Sequence, residues 1–500
     1  MNKFRTLIVL FLGYLVFFGV ILAQENPKSA PEPAPQPKRT DVTDPDTIRR
    51  LELHIARLRG LDFKKDLKVG VKQKDELKSK MIEQAAKEPP EEYEKVRKAL
   101  VKLGFIPADL KLRDFMIDLY AEQIGGFYDP QEKELYVVPA RDPASEPPDQ
   151  FGIPWNIIAT VHEMTHALQD QNFDLLTLPM EEQINDDLAT AVKALVEGEA
   201  SFVMYDYALR QRGFDLSLLP PGLFDNPDPT PFSDRSLIDR APLYIKEGMM
   251  FPYLKGLEFV KYIKARGGWE EVDKIYSDLP ASTEQIIHPE KYYVERDYPT
   301  AITIPDLTGV LTTSRWTLLL DNVMGELNIG ILKKQFYPTF SSKRMSEGWD
   351  GDEFILWDDH VTKHVLLVWF SAWDSEKDSR EFFNAYQKII ARKYNGSSDE
   401  FPKPQLKTKE FSKVVWKLER PATDTGNATI KTNLISIEQR GADVLVIEDI
   451  PDDLLDKVSP VIWDKVDRQE YKEVKRVAPR KPEGKEEEKK PEEGAEKDKK

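Results

Sequence analysis

His162, Glu163 and His166 stand together as H-E-M-T-H in a chain with only 6 histidines among 500 residues. On a helix, positions i and i+4 share a face, so both imidazoles reach one metal ion. Glu163 then lies beside the metal, free to act as a base rather than a ligand. In a chain of this composition the pattern arises by chance on the order of 0.01 times. The chemistry it points to is hydrolysis by a metal-activated water.

That reading requires a helix. Pro154 suits a first turn, and Ile157, Ile158, Val161, Thr165 and Leu168 recur at helical intervals. No Gly or Pro interrupts residues 155–173, and Ala159, Met164, Ala167 and Leu168 are good helix formers. The bland alternative is a buried helix whose two histidines only pack.

Catalytic zinc takes three protein ligands and leaves one position for water. The chain has no Cys, so the third ligand is a His, Asp or Glu. Residues 185–210 read as a second helix, in which Glu197 and Glu199 interrupt the apolar run A-L-V-E-G-E-A-S-F-V. A carboxylate among apolar residues is costly unless something pairs with it, and a metal does so. Glu199 points about 200° around the helix from Glu197, which makes Glu197 the better-placed ligand. An exposed acid on an amphipathic helix is the competing account.

H-E-M-T-H followed by a glutamate on a later helix resembles the gluzincin metallopeptidases. Their third ligand opens an E-x-x-x-D or E-x-x-A element, which the resemblance places at Glu197 in E-G-E-A-S. The chain departs at Ser201, where many gluzincins carry an Asp that supports a ligand histidine. The likeness is closer to a bacterial group of predicted exported zinc-peptidase-like proteins. It is carried by G-G-F-Y-D-P from Gly125, V-H-E-M-T-H-A-L-Q-D-Q from Val161 and A-L-V-E-G-E-A from Ala194. F-P-Y-L-K-G from Phe251, G-G-W from Gly267 and S-T-E-Q-I-I-H-P-E-K-Y from Ser282 extend it. It covers roughly residues 90–300 and is fainter over residues 351–383.

The resemblance implies an α+β protein with a mainly helical, zincin-like core and a small sheet before the H-E-M-T-H helix. His162, His166 and Glu197 would hold Zn2+, with Glu163 as general base against a peptide or protein substrate. His288 is the candidate for a further catalytic group, a donor to the developing oxyanion. Pro289 restricts the backbone there; the alternative is a turn capped by Thr283 or Glu284. Tyr205 and Tyr207 read as packing residues, and His54, His360 and His364 have no ligand-like neighbour. Two other functions share these motifs: a non-proteolytic, zinc-binding envelope scaffold, and an amidase acting on cell-wall peptides.

The flanking sequence gives the setting. Residues 1–23 carry Lys3, Arg5 and an apolar run from Leu7 to Leu22, the pattern of a signal peptide or an uncleaved membrane anchor. Export, to a periplasmic or extracellular space, follows from either. Residues 24–46 are a Pro-rich linker, and residues 476–500 form a Lys/Glu-rich tail expected to be disordered. In the tail's last 22 residues basic and acidic side chains cancel, and the chain as a whole carries −16. That balance speaks against a nucleic-acid partner.

Between the ends, residues 47–344 form the expected metallopeptidase domain and 345–475 a C-terminal α+β subdomain. Residues 48–61, 93–103 and 110–124 read as helices, and 125–138 as a hairpin whose outer strand could align an extended peptide. Residues 214–242 read as a proline-rich rim loop, 254–266 as a helix ended by G-G-W, and 316–323 as the start of another helix. Further strands are expected around D-E-F-I-L-W, H-V-L-L-V-W-F-S-A-W and L-I-S-I-E-Q-R-G-A-D-V-L-V-I, with a helix over 379–394.

Overall fold

Asp44 accepts hydrogen bonds from the Asp46 and Thr47 amides, and Pro45 fits the first turn. Helix α1 (Pro45–Arg59) therefore starts inside the end of the expected linker and stops at Gly60, whose φ is +74°. The computed structural model describes residues 41–87, 89–123, 125–139, 153–181, 184–220, 237–338, 345–395, 412–420 and 431–478. The expected leader, most of the linker, part of the rim loop and residues 479–500 lie outside these. Among the described residues no helix is long and apolar enough to cross a membrane.

Strand β1 (Lys68–Val71) is followed by α2 (Lys74–Lys87), α3 (Pro90–Leu103) and α4 (Leu112–Gln123). The D-P-Q-E-K segment then turns the chain between β2 (Gly126–Asp129) and β3 (Glu134–Val137), the hairpin expected there. Strand β1 pairs parallel to β3, so the sheet order is β1-β3-β2 and β2 is an outer strand.

Three long helices make the frame beside this sheet: α5 (Trp155–Phe173), α6 (Asp186–Arg210) and, after the short α7 (Leu237–Arg240), α8 (Leu243–Ile275). Helix α5 is buried on every side from Asn156 to Asp170, which fits an apolar helix without a solvent stripe. Helix α8 loses helical geometry at Gly267 and Gly268, where G-G-W was expected to end it. Helices α6 and α8 meet backbone to backbone. A Cβ on Gly256 would stand 2.0 Å from the Ala194 carbonyl oxygen, and one on Gly198 would stand 2.1 Å from the Gly256 carbonyl carbon. Only glycine allows that approach, and it lies next to Glu197.

The chain continues through α9 (Thr283–Ile287), α10 (Pro289–Tyr293) and β4 (Thr300–Thr303) into β5 (Trp316–Asn322). Residues 316–323 are thus mainly strand, not helix. The run T-L-L-L carries no period of its own, and pairing with the next strand decides its state. After α11 (Gly325–Phe336) come β6 (Trp349–Asp359), β7 (Val365–Trp373), α12 (Glu376–Asn395), β8 (Ser412–Arg420), β9 (Lys431–Arg440) and β10 (Asp443–Pro451). Helix α13 (Asp452–Lys465) and β11 (Asp467–Glu470), which pairs with β4, complete the order.

Strands β5 to β10 form one antiparallel sheet in the order β5-β6-β7-β10-β9-β8. One face buries Trp349, Trp369 and Trp373 against Phe382 and Tyr386 of α12 and against Leu100 and Leu103 of α3. The other buries Phe370 and Leu445 under Leu455 and Ile462 of α13. The protein is therefore mixed α+β, with helices around the first sheet and on both faces of the second. A boundary at residue 345 passes between β5 and β6, and α3 from the N-terminal half packs on the same sheet.

The last described residues return to the helical frame. Arg476 donates to the carbonyl oxygens of Phe173 (2.8 Å) and Tyr276 (2.6 Å), and Val477 N–H donates to Thr177 O at 2.8 Å. A guanidinium is well placed at such helix ends, where carbonyls lack intrahelical partners. The expected disorder therefore does not begin at residue 476.

Candidate metal centre

Helix α5 delivers His162 and His166 on one face, and α6 crosses it so that Glu197 meets both. The Nε2 atoms of His162 and His166 are 3.1 Å apart, and Glu197 Oε2 lies 3.1 Å from the first and 3.3 Å from the second. Tetrahedral zinc with bonds of about 2.0 Å holds its ligand atoms about 3.3 Å apart. The three donors are thus spaced as a zinc coordination shell spaces them, and their types, two imidazoles and a carboxylate, suit zinc. His162, Glu163, His166 and Glu197 are all buried, none more than 4% exposed.

Glu163 is held without being used up. Its Oε2 accepts the Tyr128 backbone N–H of β2 at 2.9 Å, while Oε1 is buried with no hydrogen-bond partner. The same tyrosine donates its hydroxyl to Asp170 at 2.6 Å, and Lys133 from the hairpin turn reaches Asp170 at 2.8 Å. The hairpin is thereby fastened along α5. The outer edge of β2 is partly occupied by this contact, because the Tyr128 N–H serves Glu163 and not an added strand.

Burial and mutual charge set the proton positions. Without a metal ion, burial presses His162 down to about 4, outweighing its bond to Glu197. Burial works against charge on His166 as well, but the Glu197 carboxylate outweighs it and lifts His166 to about 9. Glu197, which burial would raise, is drawn down to about 2 by His166 and His162. Burial raises Glu163 to about 8, against the pull of His166.

The groups around the ligands are not those expected from the sequence. Among the described residues Ser201 Oγ is buried without a hydrogen-bond partner, and so is His162 Nδ1. The support for His166 comes from its own helix: its Nδ1 lies 2.8 Å from Gln169 Oε1. The position i+3 in H-A-L-Q was the available signal for this contact. Tyr253 of α8 lies over the His162 ring, with centroids 5.8 Å apart and 29° between planes. Glu199, the weaker ligand candidate, pairs with the wholly buried Arg59 at 2.5 Å and accepts the Tyr276 hydroxyl at 2.7 Å. Arg59 also lies over the Trp269 ring at 4.3 Å.

The structure brings together His162, Glu163, His166 and Glu197, and it places His288 elsewhere. His288 is outside the donor cluster; its Nε2 faces Glu326 of α11 at 3.1 Å, and that bond raises its pKa. The cap of α9 is Ser282, not Thr283 or Glu284, while Thr283 bonds to Asp187. His360 bonds to Thr317 and His54 packs on Tyr207. A second acidic group, Glu284, Asp297 and Asp374, surrounds the Lys291 ammonium at 2.7, 2.8 and 3.2 Å, so a cation of the protein's own fills it.

Among known proteins, no curated sequence and no solved structure matches the chain. One family matches, described as a domain of unknown function (DUF8575), over residues 316–458. The match opens on the first residue of β5 and covers the whole six-stranded sheet, leaving α5, α6 and the donor cluster outside it.

Proposed function

We propose that the protein is an exported zinc-dependent metallopeptidase of gluzincin-like type. The observation that carries this is the convergence of His162, His166 and Glu197 at zinc-ligand spacing with Glu163 beside them. Zinc in this position supplies Lewis acidity, which makes a water nucleophilic near neutral pH and polarises a substrate carbonyl. The free Oε1 of Glu163 takes the proton of the attacking water. It then delivers that proton to the leaving amine. The Tyr128 N–H holds the carboxylate in place through both transfers.

The test is digestion of a mixed peptide library by zinc-replete protein, with a chelated sample beside it. Cleavage that disappears on chelation and returns with zinc supports the reading. Products confined to cell-wall peptides would turn it into an amidase of the same chemistry. No cleavage at all would sink it.

Burial favours a second reading. Closed zinc sites are structural, and open ones are catalytic; here all four residues are shut away from solvent. On this account the ion is a strut in an envelope scaffold. The two readings share one expected result. Glu197→Ala removes one of the protein's three donors, and structural zinc is worth roughly 10–16 kcal/mol over four ligands, so zinc affinity drops by about a hundredfold or more. Chelator competition measures it, and undiminished affinity would remove Glu197 from the site.

A further inference from the structure

We infer that Gln169 is the positioning residue of the metal centre, fixing through its amide oxygen which ring nitrogen His166 presents to the cluster. This rests on reading the cluster as a zinc site. Gln169 is wholly buried, and each end of its amide has a partner. Its Nε2 donates to the Val196 carbonyl oxygen at 2.9 Å, and it lies 3.0 Å from the Tyr276 hydroxyl. A carbonyl can only accept, so the amide nitrogen must face Val196 and the amide oxygen must face His166. That oxygen accepts at 2.8 Å from His166 Nδ1, which must therefore carry the proton. With Nδ1 engaged by the amide, Nε2 is the nitrogen left facing Glu197 and His162, where a bound metal would take it as ligand.

The contact with Val196 gives Gln169 a second reach. Val196 immediately precedes Glu197, so one side chain grips a histidine ligand and the backbone beside the carboxylate ligand. The hold continues outward. The Tyr276 hydroxyl donates to Glu199 Oε2 at 2.7 Å, and Arg59 binds the other oxygen of Glu199. The chain from His166 through Gln169, Tyr276 and Glu199 to Arg59 lies inside the protein, and its members make each other's orientation unambiguous. Among the described residues nothing comparable supports His162, whose Nδ1 has no hydrogen-bond partner there. Orientation of the ligand set thus rests on the His166 side.

The experiment compares wild type, Gln169→Leu and Gln169→Glu for zinc affinity by chelator competition, with thermal unfolding of the zinc-free proteins alongside. Gln169→Leu removes the acceptor and is expected to weaken zinc by about 10- to 100-fold. Gln169→Glu keeps an acceptor for Nδ1–H while losing both amide donations, and the Tyr276 hydroxyl can turn to donate to it. Its affinity is expected to stay within a few-fold of wild type. Equal losses in both variants would reduce Gln169 to a packing tie and overturn the proposal, as would no loss in either. Should Gln169→Leu fail to fold, nitrogen-15 shifts of His166 in the zinc-loaded wild type decide it: a proton on Nδ1 with Nε2 on the metal is expected, and a proton on Nε2 overturns it. Failure of the wild type to bind zinc would instead refute the zinc reading itself.

Discussion

Replacing Glu163 with glutamine is expected to lower peptide hydrolysis by about 10²- to 10⁴-fold with zinc content unchanged. Glutamine has the same length, and its amide oxygen can still accept the Tyr128 N–H that now bonds to Oε2. What it loses is proton affinity. The buried Oε1, which has no hydrogen-bond partner among the described residues, becomes part of an amide that cannot take a proton from water. The ligand atoms of His162, His166 and Glu197 are untouched, so metal analysis should give equal zinc in both proteins. Turnover numbers at matched metal content are the measurement. A metal-replete variant that still cleaves at the wild-type rate would remove Glu163 from the reaction, and the strut account would gain.

The second large effect lies in the sheet. Glu448 is wholly buried and accepts from Tyr386 at 2.7 Å, Tyr394 at 2.7 Å and Lys393 at 2.7 Å, with Lys102 of α3 3.5 Å away. Glu448→Gln leaves the largely buried Lys393 ammonium without its counter-ion, while Lys102 keeps Asp449, a change that costs about 3–5 kcal/mol. Burial alone would raise the Glu448 pKa, but Lys393 and Lys102 outweigh it and hold the carboxyl at about 2. The sign follows from that depression. The folded state binds this proton less readily than the unfolded chain, so the carboxylate stabilises the protein fully above the ordinary glutamate pKa of 4.5. That stabilisation is lost as pH falls through about 2. Thermal unfolding at neutral pH should separate variant from wild type widely, and at about pH 3 the gap should narrow. A gap independent of pH would show that Glu448 acts by packing and not by charge.

What could be read from the sequence was whatever a short window determines. His162 and His166 are four residues apart on one helix, so their convergence needs no tertiary information. Glu197 stood out because an acid in an apolar run has to be compensated. The hairpin before α5 announced itself by the short runs G-G-F-Y and E-L-Y-V-V on either side of a D-P-Q-E-K turn. The missing parts all depend on distant partners. Gln169 needs Val196 O and Tyr276 to show which way its amide points. Glu199 looked like a spare ligand until Arg59, 140 residues upstream, supplied its counter-ion. Residues 316–322 carried helix-compatible leucines and became a strand because β6 offers an edge. His288 had the right chemistry and a restrained backbone, but which carboxylate it would meet was settled by α11.

Arg476 has a consequence in the order of synthesis. His162, His166 and Glu197 have all been synthesised once residue 197 is made, yet the guanidinium that closes the ends of α5 and α8 comes hundreds of residues later. A nascent chain, or one clipped ahead of residue 476, carries His162, His166 and Glu197 on helices whose final carbonyls are still open. The clasp on these two helix ends is therefore closed long after the helices themselves have been made.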